Sequence, residues 1–471
     1  MKNRLETKNQ IDKWFESNSN DMFKDLGELI KINSVRTESK EGAPYGTESR
    51  AALTLAESML KKRGFDVDVF EDMVITASHG PGAPELGILA HLDIVAGGEG
   101  WDEDPLIMRE KDGNIYGRGV LDNKGPSVAA MYALYCARDL CPQFKNAVQI
   151  ILGSGEEIGF DDIAQYMKRN RMPPNVFTPD AEYPVINTEK GRFMPVFGAK
   201  WEKDTTLPRI ISITGGKTPN VVPNHSEAVI AGFSKEDAEV FCNEYSEKTG
   251  VRFSVSCVGK EIMITAEGTA SHASLPQRGI NAQTGLIKML AAMPFAQSKG
   301  FDYLKSLDRL FPHGDCHGSA LGIDISDDIS GRITVNFGVL RFSELEFSAN
   351  FDSRTPVCTD KTDLFGTTNN ALKNEGMDIT YHELKTSHHT PEDSRFVQTL
   401  LNLYNEYTGN PGTCASMGGL TYVHDIPGGV AFGCAMPGDD NKAHGVNEFI
   451  NKEQLITSAK MFTGAIIDLC T

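Results

Sequence analysis

The stretch AVQIILGSGEEIG, residues 147–159, decides the class of fold. Its first seven residues are apolar at all but Gln149, a run of strand length that reads as buried on both faces. Glycines at 153, 155 and 159 mark a turn, and two adjacent carboxylates, Glu156 and Glu157, sit inside it. Neighbouring anions beside a core strand cost several kcal/mol unless a cation or a proton compensates them. The pair is therefore a candidate site in which one glutamate holds a metal while the other moves protons. Solvated loop acids are the plain alternative.

Outward from this stretch the text alternates. Apolar extended runs occur at 87–90 (GILA) and 175–178 (NVFT), with another extended segment at 65–70 (FDVDVF). Helical patterns lie over about 47–63, 124–139 and 160–170, and an amphipathic helix is expected over 21–33. Strands punctuated by helices predict an α/β sheet with binding groups at the strand ends. After Lys190 the texture changes. Segment 207–296 reads as two strands, a charged helix from about 234, strands over 251–266 and a helix from about Asn281. Segment 331–384 repeats that plan with strands, a helix near 361–374 and a strand at 378–384. Helices over 394–408 and 452–469 close the chain. The expected organisation is a discontinuous α/β domain, 1–189 plus 386–471, with an α+β domain of two similar sub-units inserted at 190–385.

Four further motifs carry possible ligands. His91-Leu-Asp93 follows GILA; on a strand, residues two apart face one side, so Asp93 can orient the imidazole while its other nitrogen faces a metal. Alone, such a histidine is more often structural. In GRGVLDNKG, residues 117–125, a glycine-rich turn presents Asp122 just before a helix, and an N-cap aspartate is an equal reading. Asp180 follows the NVFT run, and His444 lies in KAHGVNE, residues 442–448. Together His91, Asp122, Glu157, Asp180 and His444 make a mixed nitrogen and oxygen set suited to two divalent ions sharing one carboxylate.

Composition narrows the partners. With 46 Lys+Arg against 64 Asp+Glu the formal charge is −18, which opposes phosphate backbones and anionic lipid headgroups, so neither nucleic acid nor membrane is expected as a partner. No run reaches the ~18 apolar residues of a membrane span, and MKNRLETKNQIDKWF carries charges where a signal peptide needs its apolar core. Nine scattered cysteines without a Cys-x-x-Cys pair fit reduced thiols. The expectation is a cytoplasmic protein.

The motifs GILAHLDIV, GEGWDEDP, GRGVLDNKGP, GSGEEIG, FTPDAEYPVINTEKG, SHASLPQRGINA, GGLTY (418–422) and AHGVNE, in this order, resemble the co-catalytic zinc peptidases of the aminoacylase and carboxypeptidase-G group, and within it the PepV-type dipeptidases. The resemblance runs from about residue 15 to the end. It implies that His91 and Asp180 hold one ion, Glu157 and His444 the other, and Asp122 both, with Zn²⁺ the first choice and Mn²⁺ the second. It implies Asp93 as the orienter of His91, and Glu156 as the general base for a water shared by the ions. The peptide bond after Asp122 would be cis. Many relatives carry a second aspartate where this chain has Asn123.

The same resemblance gives the inserted domain a part. His272 would stabilise the oxyanion, Asn220 and Arg354 would bind the substrate carboxylate and intermediate, and Gly418 and Gly419 would offer backbone N–H groups to the carboxylate. Because His272 lies outside the metal-bearing domain, closure would accompany turnover. The doubled lid resembles the arrangement in which one chain supplies every group, so a monomer is expected. The activity implied is a dipeptidase on small peptides. An N-acyl-amino-acid deacylase or desuccinylase on the same site, and a non-catalytic binding protein on the same fold, are the alternatives.

Overall fold

Three neighbouring parallel strands organise the first part of the protein: Ala147–Gly153, Pro84–His91 and Asn175–Thr178. The structure, a computed structural model, describes residues 4–471. His91 is in register with Gly153, and Ile88 pairs with both Ile150 and Phe177, so the three strands end on one edge of the sheet. Strands Val67–Phe70 and Val74–His79 extend the sheet antiparallel on one side. On the other side Val430–Ala431 runs parallel to Asn175–Thr178 and antiparallel to Val185–Glu189.

Helix Lys124–Leu140 packs on this sheet and beneath helices Arg4–Ile30 and Lys452–Cys470. It is buried at every residue from Lys124 to Ala137, as a helix covered on all sides must be. Arg4–Ile30 starts far earlier than the expected 21–33. It buries Ile11, Phe15, Met22, Leu26 and Leu29 along one stripe, while the polar run SNSND at 17–21 puts half-buried Asn18 and Ser19 on that stripe between Phe15 and Met22 and so interrupts the apolar periodicity in the sequence.

The chain divides into two compact units. One comprises the residues through Thr188, His389–Ala415 and Leu420–Thr471; the other comprises Glu189–His388 and Ser416–Gly419. Gly418 and Gly419 thus pack with the second unit, whereas the sequence boundaries put them in the first domain. The reason is local: Lys190 N–H donates to the Met417 carbonyl, and Arg354 Nη1 to that of Gly418.

The second unit is built on an antiparallel sheet of eight strands. Their order is Arg252–Val258, Glu261–Glu267, His225–Ala231, Arg209–Gly215, Thr334–Phe342, Glu346–Thr355, Gly191–Lys200, Asp378–Lys385. Each half contains a hairpin, a helix (Lys235–Thr249 or Leu364–Asn374), an edge strand, and a fourth strand between hairpin and edge. In the first half that fourth strand, Glu261–Glu267, follows the edge strand in the chain; in the second it is Gly191–Lys200, which opens the unit. The two expected sub-units are therefore permuted copies fused through the pairing of Arg209–Gly215 with Thr334–Phe342. Gly191–Lys200 and helix Lys299–Leu310 were not expected. Pro195 argues against a central strand, and it lies where the ladder to Glu346–Thr355 is interrupted, between Phe193↔Ser353 and Val196↔Asn350. Phe311 stacks on Phe337 and Phe197 in the core of this unit. Among the described residues the nine cysteines form no disulfide, and no helix is long and apolar enough to cross a membrane.

Candidate metal centre

The common strand edge collects the first-unit residues singled out in the sequence. His91 is the last residue of its strand, Asp180 lies two residues beyond Asn175–Thr178, and Glu156 and Glu157 open a single 3₁₀ turn, Glu156–Ile158, three residues past Gly153. Asp122 ends the turn before helix Lys124–Leu140, and His444 comes from the loop ahead of strand Phe449–Asn451. The Asp122–Asn123 peptide is cis.

Two donor triads share Asp122. On one side its Oδ1 lies 3.1 Å from His91 Nε2, which is 3.6 Å from Asp180 Oδ2; on the other its Oδ2 lies 2.8 Å from His444 Nε2, which is 3.2 Å from Glu157 Oε2. Within each triad the ligand atoms fall within 4.8 Å of one another. His91 is fully buried, and its Nδ1 faces the Asp93 carbonyl at 3.1 Å and carboxylate at 3.3 Å, which leaves Nε2 aimed at the acids. The Asp93 carboxylate also accepts the Glu156 and Glu157 N–H groups at 3.3 and 3.0 Å. One aspartate therefore orients the His91 ring and fixes the turn that carries two more acids.

The electrostatics describe a site short of positive charge. Burial, then the Asp180 charge, pushes the Glu156 carboxyl well above its usual range; burial, then Asp122, raises both Glu157 and Asp180. Burial opposes the charged form of His91, yet Asp180, then Asp122 and Asp93, hold it well above the ordinary imidazole value. Hydrogen bonds to Asp122 and Glu157 push His444 up to about 11. Divalent ions fit the same residues. His91 Nε2 and Glu157 Oε1 are buried without a hydrogen-bond partner although acids surround them, and buried polar atoms are otherwise almost always paired. A donor set of two imidazoles and three carboxylates suits Zn²⁺ or Mn²⁺.

The acids are held by further hydrogen bonds. Asn123, fully buried, donates to Asp180 Oδ1 at 3.1 Å and to the Pro179 carbonyl at 3.0 Å, so an amide braces Asp180. Asp162 accepts from the Ser154 and Gly155 N–H groups and from Tyr422 Oη at 2.6 Å, and so anchors the turn before Glu156. Asp162 lies in the first turn of helix Asp161–Arg169, a common place for an acid, and nothing in the sequence links it to Tyr422, 260 residues away.

In the second unit the loops of Asn220 and His272 lie side by side: Val221 bridges His272, and Ala273 N–H donates to the Asn220 carbonyl at 2.9 Å. Both side chains are exposed. His272 Nδ1 faces Ser274 Oγ at 2.7 Å and accepts from the Ser274 N–H at 3.2 Å, which leaves Nε2 as the nitrogen that carries hydrogen in the neutral ring. Arg354 is buried, with Nε and Nη2 on Asp352 and Nη1 on the Gly418 carbonyl at 2.6 Å; two of its five N–H donors are uncommitted by these bonds. A Cβ at Gly418 would meet Ser274 Cβ at 2.6 Å, so this close approach requires glycine.

Residues 87–468 match Peptidase family M20/M25/M40. The Beta-Ala-Xaa dipeptidase of Lactobacillus delbrueckii subsp. lactis is 32% identical over 465 residues, 96% of this chain and 97% of the relative. The protein YtjP of Bacillus subtilis (strain 168) is 31% identical over 456 residues, 95% and 97% respectively. Among solved structures, human carnosine dipeptidase 1 superposes with a TM-score of 0.57 at 14% identity, covering 98% of each chain, a likeness of fold.

Proposed function

The chain belongs to peptidase family M20/M25/M40 and is a metallopeptidase, and from that premise we propose that it is a two-ion dipeptidase. The observation that carries this reading is the pair of donor triads sharing Asp122, with Glu156 on the same turn as a ligand. The relatives named as dipeptidases over nearly the full length support the substrate class. His91 and Asp180 would hold one ion, Glu157 and His444 the other, and Asp122 both; Zn²⁺ is the first candidate and Mn²⁺ the second. When bound, such ions supply Lewis acidity and make water acidic enough to react near neutral pH.

The chain's own groups do the rest. Glu156, its carboxyl held high by burial, accepts a proton from the attacking water and returns it to the departing amine, a role commonly worth 10²–10⁴ in rate. His272 donates from Nε2 to the carbonyl oxygen as charge develops there; a donor in this role contributes about 3–4 kcal/mol. Asn220, Arg354 and the Gly418 and Gly419 backbone bind the substrate's terminal carboxylate, with Arg354 pre-oriented by Asp352. The catalytic unit is assigned to residues 1–189 and 386–471 and the inserted lid to 190–385. The protein acts as a cytoplasmic monomer on small peptides, with neither nucleic acid nor membrane as a partner.

A panel of dipeptides assayed beside N-acetyl and N-succinyl amino acids, with Zn²⁺ or Mn²⁺ added, tests the substrate class. Dipeptide cleavage is expected, and cleavage of the acylated compounds alone would replace the dipeptidase reading by a deacylase one. Glu156→Gln is expected to lower turnover by about 10²-fold or more while metal content stays unchanged. Activity equal to the parent in that variant would remove Glu156 from the reaction.

A further inference from the structure

Glu448 is fully buried, and its carboxylate gathers in the loop that ends in Asp122. Its Oε1 accepts the N–H groups of Gly119, Leu121 and Asp122 at 3.0, 2.9 and 3.2 Å, and Oε2 accepts from Arg118 Nη1 at 2.6 Å. Its carbonyl takes the Gly117 N–H at 3.1 Å. Glu448 also closes the loop that carries His444. Arg118, itself buried, works in the opposite direction: its Nη2 donates to the Gly445 carbonyl at 2.9 Å, and its guanidinium lies over the Trp101 ring at 5.4 Å. One buried ion pair therefore ties the two loops that supply Asp122 and His444, each partner gripping the backbone of the other's loop.

His444 needs such a tie. Its side chain is 56% exposed, and Lys442, His444 and Asn447 all adopt left-handed backbone angles (φ 61, 59 and 58°) that cost a non-glycine residue energy unless the surroundings impose them. Besides the bonds of Arg118 and Glu448, Asp102 N–H donates to Asn447 Oδ1 at 3.1 Å. His91 and Asp180, by contrast, are placed by sheet strands. The Arg118 and Glu448 charges cancel, so the clasp adds geometry beside Asp122 without adding net charge.

We propose that Arg118 and Glu448 are positioning residues for the ion held by Asp122, Glu157 and His444, and that loosening their pair turns a two-ion centre into a one-ion centre. This rests on the two-ion reading above. Glu448→Gln keeps the shape and an acceptor for the three amides but turns an N–H donor toward Arg118; Arg118→Lys keeps the charge but loses the planar fork.

Metal-free parent and variants are titrated with Mn²⁺ alone and followed by electron paramagnetic resonance, which distinguishes a spin-coupled pair from an isolated ion. The parent is expected to bind two ions and show the coupled spectrum. Glu448→Gln is expected to bind the first ion within about threefold of the parent and the second about tenfold or more weakly, with the spectrum of an isolated ion when one equivalent is bound tightly. Arg118→Lys is expected to weaken the second ion to a smaller extent, and it decides the matter if circular dichroism shows that Glu448→Gln does not fold. Second-ion affinity equal to the parent's, or both affinities falling together, overturns the proposal while the two-ion reading stands. A parent that binds fewer than two ions overturns both.

Discussion

The two halves of the candidate metal centre are made from different kinds of structure. His91 and Asp180 stand at the ends of adjacent parallel strands; the His91 side chain has no exposed surface, and Asn123 braces Asp180. His444 is more than half exposed on an irregular loop, and Glu157 reaches it from a 3₁₀ turn. Asp122 belongs to both. Sheet register fixes the first half, because moving His91 would mean shifting a ladder of paired strands. Side-chain bonds between loops fix the second. The closed half gives rigidity, and the open half is exposed at His444.

Substituting the two histidines gives the largest contrast. His91→Ala leaves Asp93, Asp122 and Asp180 without the buried imidazole among them, and is expected to destabilise the metal-free protein by about 3–5 kcal/mol, the cost of removing one partner of a buried charged group. His444→Ala removes a ring that is more than half exposed and whose contacts with Asp122 and Glu157 are partly screened by solvent, and is expected to cost less than His91→Ala. Urea denaturation of both variants checks this, and equal losses would erase the distinction between the halves.

Next comes proton competition. In the metal-free site His444 holds its proton up to about 11, through Asp122 and Glu157, and an entering ion must displace it. Ion binding is therefore expected to release protons and to weaken as pH falls, because each ion bound expels a proton and a higher proton concentration opposes that release. Calorimetric titration in two buffers of different ionisation enthalpy measures the release. Loss of this release in His444→Ala would assign it to the open half; an unchanged release would assign it to the closed half.

Smaller effects sharpen the account of the closed half. Asn123→Ala removes the donor to Asp180 and Pro179, and is expected to cost about 1–3 kcal/mol in thermal or urea unfolding, the penalty for buried acceptors left unpaired. Tyr422→Phe deletes one of the bonds to Asp162 while the Ser154, Gly155 and Ile163 N–H donors remain, and about 0.5–1.5 kcal/mol is expected from the same measurement. A larger loss for Tyr422→Phe than for Asn123→Ala would reverse the order of support within this half.

The closed half was legible in the sequence because its signals are local. GILA, AVQIILG and NVFT are apolar runs of strand length, and His91, the Glu156–Glu157 pair and Asp180 follow them within a few residues. The supports were not legible, since hydrogen bonds between distant residues leave no periodic trace. Arg118 and Glu448 are 330 positions apart, and each read singly as an ordinary charged residue in a glycine-rich or polar loop. In the second unit the misses have a different cause. Pro195 disguises a strand that tolerates it at a break in the ladder, and the permuted halves hide a continuous sheet behind what read as two repeats.

The central claim is that one carboxylate joins a closed and an open ion site. Crystals grown with Zn²⁺ or Mn²⁺, with anomalous scattering recorded at the metal edge, test it most directly. Two peaks are expected, one among His91, Asp122 and Asp180 and one among Asp122, Glu157 and His444. A single peak at full occupancy under saturating metal, or peaks away from Asp122, would contradict it.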